Sequence, residues 1–203
     1  MKNLIAILSL LAVLALSAMV ATSCKKDPPS NKEEGIVING KRWATCNVAA
    51  PGTFAINSED DGMMYQWNRE KGWSSKDEEI IDWDTSTPNG NKWEKDNDPC
   101  PVGWRVPTRN ELQSLLDAGS EWTTLNGETG CIFGSGDNTI FLPATGYRNL
   151  SDGALGSQGA DGYYWSSTSS SYTLAYLLYF RSTAQGTSND SKSYGFPIRC
   201  IAE

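Results

Sequence analysis

One helix signature constrains the fold of this chain more than any other feature. It lies in residues 100–116, whose sequence is CPVGWRVPTRNELQSLL. The hydroxyl of Thr108 can accept the amide of Glu111, and the Glu111 side chain can return to the amide of Thr108, which is a capping box. Three leucines follow at helical spacing and form an apolar stripe. The pattern predicts a helix over about 109–118 that ends at the next glycine.

The rest of the chain carries short apolar runs separated by turn residues. Asn-Gly pairs at 39–40 and 126–127 lie between such runs and predict tight hairpins. The run 172–180 is apolar on both alternating faces, which predicts a central strand covered on two sides. The pattern leaves open whether 63–67 forms strand or helix, and the polar run 181–193 is interpreted as a loop. We therefore expect a mixed α+β domain, mostly short antiparallel strands and long loops around one helix.

Charge and composition exclude several classes of function. The net charge of −7 makes nucleic acid an improbable partner. The chain contains no histidine. Ser-His-Asp and Cys-His catalysis and every His-containing metal site are therefore excluded.

The first residues indicate export. Lys2 precedes an almost unbroken apolar run over 4–20, which is typical of a secretory signal and is also close to the length of a transmembrane anchor. The small residues before Cys24, in VATSC, resemble the lipobox of bacterial lipoproteins. That resemblance implies a signal peptide over 1–23, lipidation of Cys24 and attachment to a membrane through the lipid. The charged segment 24–34 has too little apolar surface to fold and is interpreted as a tether, so the domain is expected to span 35–203.

Beyond Cys24 the chain has four cysteines, Cys46, Cys100, Cys131 and Cys200. An even number in an exported chain indicates disulfides, and no two are close enough for a CxxC redox pair. Three connectivities are possible, and spacing alone does not choose among them.

Segment 68–99 differs from the rest because it follows neither helical nor strand periodicity. Trp73, Trp83 and Trp93 lie about ten residues apart in it, among acidic and polar residues. We interpret it as an ordered loop held by its tryptophans, either against the core or exposed as a ligand-binding surface. The acidic runs NSEDDG and EKDND carry oxygen ligands suited to calcium, but neither has the EF-hand spacing. No cofactor is expected, and calcium is kept as the alternative.

Five stretches resemble a known family in their order and spacing: KRWATCNV, CPVGWRVPTRNELQSLL, IFLPATGYR, GYYWSST and YGFPIRC. They are similar to the Fibrobacter succinogenes major paralogous domain, found in surface lipoproteins of Bacteroides-type bacteria. The resemblance implies a compact C-type-lectin-like fold, related to formylglycine-generating enzymes, in which the N- and C-terminal strands pair. It also implies a Cys100–Cys200 disulfide, which leaves Cys46 and Cys131 as the candidate second pair.

The expected function is ligand binding without catalysis. We expect a lipid-anchored protein of the cell envelope, in the outer membrane, that binds a glycan or protein ligand in adhesion or surface capture. Trp73, Trp83 and Trp93 are the candidate contacts, whereas Tyr163, Tyr164 and Trp165 are expected in the sheet core. The first alternative is a structural subunit of an envelope or fimbrial assembly. The second is an enzyme that would rely on carboxylates, on Tyr147 and Arg148, or on a reactive thiol.

Overall fold

The computed structural model describes residues 35–76 and 80–203. The predicted signal peptide, the lipidation site Cys24 and the tether lie outside these residues. In chain order the strands are β1 (Ile36–Ile38), β2 (Lys41–Trp43), β3 (Met63–Gln66), β4 (Gly72–Ser74), β5 (Trp104–Arg105), β6 (Ser120–Leu125), β7 (Glu128–Ser135), β8 (Asn138–Pro143), β9 (Tyr147–Arg148), β10 (Leu155–Gly156), β11 (Asp161–Ser169), β12 (Leu174–Arg181), β13 (Ala184–Ser191), β14 (Gly195–Phe196) and β15 (Ile201–Ala202). The helices are α1 (Arg109–Asp117) and the short 3₁₀ helix η1 (Lys95–Asn97). Neither is long and apolar enough to cross a membrane.

The expected α+β class is wrong, because the fold is β-rich. Strands account for 43% of the structure and helix for 7%, and the strands form several antiparallel sheets. One contribution comes from the polar run 181–193, which was expected as a loop and instead contains the strand β13. This strand pairs with β12 along all eight of its residues. Because β13 lies at the edge of its sheet, main-chain hydrogen bonds hold it in place and its side chains need not be apolar.

The predicted helix is confirmed as α1, and its capping box is formed. The Thr108 hydroxyl accepts the Glu111 amide at 3.3 Å, and the Thr108 amide donates to the Glu111 carboxylate at 2.8 Å. Arg105 on β5 donates to both oxygens of the same carboxylate, at 2.8 and 2.6 Å. Gly119 follows the helix with a φ of 91°, a left-handed conformation that suits glycine. The carboxylate of Glu111 therefore joins the helix start to the sheet.

A four-stranded sheet brings together residues from both ends of the described chain. Its strand order is β1-β2-β15-β5. The predicted Asn39-Gly40 turn connects β1 and β2, with φ angles of 48° and 72°. Trp43 on β2 pairs with Ile36 on one side and with Ile201 on the other. The pairing of N- and C-terminal strands implied by the family resemblance is thus present.

Two three-stranded sheets contribute apolar residues to the core. One has the order β6-β7-β8, and its Asn126-Gly127 turn confirms the second predicted hairpin. The other has the order β11-β12-β13, with α1 packed against it. Leu178 and Phe180 of β12 join one hydrophobic cluster, whereas Ala175 and Leu177 join the other. The prediction of a central strand covered on both faces is therefore confirmed.

A five-stranded sheet has the order β10-β9-β14-β3-β4, and its edge strand β4 belongs to segment 68–99. Its strand β3 shows that the ambiguous stretch around residue 65 is extended. The neighbouring strand β11 contributes Tyr164 and Trp165, which are fully buried, and Tyr163, which is partly buried. Trp165 packs on Phe196 of β14, with ring centroids 4.5 Å apart. Tyr163 also stacks on Phe196, whereas Tyr164 faces the other hydrophobic cluster and stacks on Phe180.

Candidate functional site

The described part of segment 68–99 supplies the edge strand β4 of the five-stranded sheet and contacts strands β3 and β14 through Trp83 and Asp84. Gln66 on β3 donates to the Asp84 carbonyl at 2.6 Å. Gln66 is also the cross-strand partner of Gly195 on β14. A Cβ atom at Gly195 would lie 3.0 Å from the indole of Trp83, so this glycine leaves space for the ring. The segment is thus seated on the sheet through contacts with two adjacent strands.

The second half of the segment is fixed by two more side chains. Asn68 donates to the Asn89 carbonyl at 2.8 Å, and the buried Lys192 donates to the Gly90 carbonyl at 2.8 Å. Burial lowers the pKa of the Lys192 ammonium, which also lies 4.2 Å from the centroid of the Trp67 ring. These bonds connect two carbonyls of the loop to side chains from the body of the domain. The described residues of the segment are therefore bonded to the rest of the fold.

Trp93 is a core residue. It is 8% exposed, its ring meets the buried Trp67 edge-on at 5.7 Å, and its indole nitrogen donates to the Asn97 carbonyl at 2.8 Å. Its indole thus has both apolar and polar partners within the protein. Trp93 therefore does not lie with Trp73 and Trp83, the other two predicted contact residues.

Trp73 and Trp83 lie together, with ring centroids 5.0 Å apart and an angle of 50° between the rings. Trp73 stands on β4 and is 7% exposed, whereas Trp83 is only partly buried. The Trp83 indole donates to the Leu150 carbonyl at 3.1 Å and packs on Gly153. A Cβ atom at Gly153 would lie 2.8 Å from the Trp83 ring, so only glycine leaves room for it. The tryptophan pair is held in a fixed orientation.

The tryptophan pair borders an open groove with a volume of about 780 Å³, called here the Trp73–Trp83 groove. Its lining is rich in charge and comprises, besides the two indoles, Arg69, Glu70, Lys71, Asp82 and Asp84 as its ionisable residues. Two indoles beside charged and amide side chains offer a ligand both stacking and hydrogen-bonding groups. The geometry can hold a flat or ring-shaped ligand against indole and bind its polar groups at the rim.

Arg69 and Asp84 form an ion pair within the groove. The Arg69 guanidinium also donates to the Ser86 carbonyl at 3.1 Å and to the Ser86 hydroxyl at 2.8 Å. Hydrogen bonds from Ser86, together with the neighbouring Arg69, lower the pKa of the Asp84 carboxyl. This network fixes the loop around Ser86, and its two charges largely neutralise each other.

The remaining charged groups of the groove lie beside the tryptophans. The Lys71 ammonium lies 3.8 Å from the centroid of the Trp73 ring, a cation–π contact. Within residues 35–76 and 80–203, neither Glu70 nor Asp82 has a hydrogen-bond or ion-pair partner through its carboxylate. The indole N–H of Trp73 is buried and has no acceptor among the same residues. Sequence reasoning placed the tryptophans among acidic and polar residues but did not assign these flanking charges, in REKGW and IDWD, to the site.

The chain matches the model of the Lcl C-terminal domain over residues 42–202, a span that includes the whole groove. The chain belongs to the Lcl C-terminal domain family. The match supports the resemblance to Fibrobacter-type paralogous domains, and the family suggests a domain of a surface or secreted protein. No curated protein and no solved structure matches the chain.

The cysteines of this Lcl C-terminal domain agree with one predicted pair and contradict the other. Cys100 and Cys200 form a disulfide with a sequence separation of 100. Cys131 on β7 is a free, buried thiol, so the predicted Cys46–Cys131 pair is wrong. Cys131 faces the hydrophobic cluster that contains Phe133 and Leu142, and this burial raises the pKa of its thiol to about 11. The thiol therefore has the properties of a packed apolar residue.

The acidic runs considered for calcium are engaged in local bonds in this Lcl C-terminal domain. Asp60 accepts the Asn57 amide at 2.9 Å, and Asp98 accepts the amides of Cys100 at 2.9 Å and Val106 at 3.1 Å. Burial is the largest influence on Asp98, and it raises the pKa of that carboxyl. Across residues 35–76 and 80–203, no three acidic or cysteine side chains are grouped so that they could hold a metal ion.

Proposed function

We propose that this Lcl C-terminal domain binds a glycan or protein ligand in the Trp73–Trp83 groove, without catalysis, in adhesion or surface capture. The observation that carries the proposal is the pair of indoles 5.0 Å apart at the edge of an open groove with a charged rim. An indole face stacks on the apolar face of a sugar ring or on an aromatic side chain, and it loses little conformational entropy on binding.

The rigidity of the groove supports this function. Trp83 is fixed by the Leu150 carbonyl and by Gly153, and the segment below it is bonded to the five-stranded sheet through Gln66. A preformed surface avoids the cost of ordering loops when the ligand arrives. A binding role therefore requires no rearrangement of the main chain.

The absence of catalysis is part of the proposal, and three observations support it. Burial suppresses formation of a thiolate at Cys131, which is opposite to what a nucleophile needs. The guanidinium of the buried Arg148 donates to the carbonyls of Ser74, at 2.9 and 2.6 Å, and Gly153, at 2.7 Å. The Tyr147 ring packs edge-on against Tyr163. Cys131, Arg148 and Tyr147, which were named for the enzyme alternative, thus serve packing and loop anchoring.

The cellular setting belongs to the same proposal. The chain is proposed to be a lipoprotein of a Bacteroides-type bacterium, with a signal peptide over 1–23 and acyl chains on Cys24. The tether over 24–34 then holds the domain away from the outer membrane. These points rest on the sequence motifs, and membership of a family of surface or secreted domains supports them.

A glycan array tests the binding function. The purified protein is applied once with calcium and once with a chelator. We expect binding to one glycan class, lost in Trp83→Ala and retained in Tyr172→Ala, because Tyr172 is 72% exposed and lies outside the groove. Thermal unfolding of each variant checks that the fold persists. Binding that survives Trp83→Ala in a folded protein would contradict the site, and silence across the array would favour a protein ligand.

A subunit role in an envelope assembly is the second candidate, and the edge strand β13 favours it. Within the described chain β13 pairs only with β12, and its eight residues show no bulge in the register with that strand. They include neither lysine nor proline, the residues that commonly protect an exposed edge. Cross-linking on intact cells should then capture a neighbour in the wild type and lose it in Asn189→Pro, because by strand alternation the Asn189 amide faces away from β12. An unchanged cross-linking pattern in a folded variant would rule out this edge.

A further inference from the structure

The Trp73 ring already holds a cation in this structure. The Lys71 side chain is exposed, yet its ammonium lies 3.8 Å from the ring centroid. No hydrogen-bonded or ion-paired partner for that ammonium is present among the residues described. A cation centred over an indole face is attracted by the negative face of the π-system. The position above Trp73 therefore suits a positively charged group.

The surroundings of this position favour positive charge as well. Glu70 and Asp82 line the groove without a cationic partner in the described structure, whereas the charge of Asp84 is compensated by Arg69. The chain as a whole carries a net charge of −7. An acidic protein with uncompensated carboxylates in an open groove attracts cations and repels anions over several ångströms.

The Trp83 indole offers one further contact. Its ring lies 5.0 Å from that of Trp73 and is only partly buried, so a sugar ring can stack on it. A saccharide that carries an amine on its ring can therefore place its ammonium over Trp73 and its apolar face against Trp83.

We infer that the Trp73–Trp83 groove binds an amine-bearing saccharide, whose ammonium replaces that of Lys71 over the Trp73 ring. This inference rests on the proposed binding function and specifies its ligand. The exchange costs little, because one ammonium leaves the ring as another arrives and Lys71 is released into solvent. The ligand gains stacking on Trp83 and attraction to Glu70 and Asp82 in addition. Lys71 is then a competitor of the ligand rather than a contact residue.

The sign of the Lys71→Ala effect tests this inference. Removing the competing ammonium should tighten binding of a glucosamine oligomer by about two- to fivefold, the range expected for loss of one exposed cation–π contact. Lys41→Ala is the matched control, because Lys41 is exposed on the β1–β2 hairpin and its loss changes the net charge equally. That control should leave affinity within error. The assay is isothermal calorimetry at mildly acidic pH, where the sugar amines are protonated.

Three oligomers separate the possible ligand charges. The protonated glucosamine oligomer should bind more tightly than its neutral N-acetylated counterpart, and a sulfated oligomer should bind least. Binding of the glucosamine oligomer should weaken as salt is added. Tighter binding of the sulfated oligomer, weakened by Lys71→Ala, would overturn the inference, because Lys71 would then be a ligand contact. Equal binding of a lysine oligomer would overturn the assignment to a saccharide.

The outcomes also distinguish this inference from the function on which it rests. Binding of neutral or sulfated glycans that is lost in Trp83→Ala would retain the groove and reject the amine. Binding of no oligomer by a folded protein would reject glycan binding at the groove altogether. Stronger binding in both Lys71→Ala and Lys41→Ala would indicate an effect of net charge and would also reject the specific role of Lys71.

Discussion

The stability of this domain should depend on pH through Glu111. Burial alone would raise the pKa of this carboxyl, but hydrogen bonds from Arg105 and Thr108 outweigh it and lower the pKa from 4.5 to about 2. A shift of that size corresponds to about 3 kcal/mol of stability at neutral pH, at about 1.4 kcal/mol per pKa unit. Arg105 keeps 36% of its side chain exposed, so screening by solvent reduces the expected value to about 2–3 kcal/mol.

The direction in which stability changes with pH follows from the direction of the Glu111 pKa shift. Because the folded-state pKa is depressed, the contribution is fully present above the unfolded value of 4.5 and is lost as pH falls towards about 2. Glu111→Gln removes the charge but keeps an oxygen that can accept the Thr108 amide. The variant should therefore unfold more easily than the wild type at pH 7 by about 2–3 kcal/mol, with a difference that shrinks steadily below about pH 4.5.

Urea titrations followed by tryptophan fluorescence measure this difference across the pH range. Glu121→Gln is the control, because Glu121 lies exposed on β6 and has no ion pair in the described structure. The control should differ little from the wild type at any pH. A Glu111→Gln difference that stays constant from neutral to strongly acidic pH would refute the reasoning, since it would show that the charge on Glu111 is not the source of stability.

Two further predictions concern the cysteines. Replacing Cys100 and Cys200 together with serine should lower the free energy of unfolding by about 4–5 kcal/mol, because the disulfide closes a loop of 100 residues; an unchanged urea midpoint would contradict this. Cys131 should resist a thiol reagent at pH 8 in the folded protein and react after unfolding in guanidinium, because burial raises its pKa to about 11. Peptide mass spectrometry locates the label, and rapid modification of the native thiol would argue against the buried position.

The features that could be predicted from the sequence are local ones. The capping box around Thr108 involves residues three positions apart, and each Asn-Gly turn determines the pairing of its own hairpin. The Cys100–Cys200 disulfide joins residues that are distant in sequence, and only the family resemblance predicted it. The strand β13 was missed because an edge strand paired through its main chain shows no apolar alternation.

The candidate site was predictable only in part, because tertiary placement decides the role of each tryptophan. Trp73, Trp83 and Trp93 have similar acidic and polar neighbours in sequence, yet Trp93 packs against Trp67 while the other two border the groove. The residue that packs against each ring determines whether that tryptophan joins the core or borders the groove. The glycine at 153 that admits Trp83 lies 70 residues away in sequence, and no local pattern indicates that contact.

The Cys100–Cys200 disulfide also determines how the domain would transmit mechanical force. Residue 36 on β1 and residue 201 on β15 lie on either side of β2, about 10 Å apart at ordinary strand spacing. Tension applied at the N-terminal edge of the domain passes through this sheet to Cys200. From there one covalent bond carries it to Cys100, which immediately follows segment 68–99 and its groove. A ligand held in the groove would therefore pull on the sheet β1-β2-β15-β5 directly, without unfolding the hundred residues between the two cysteines.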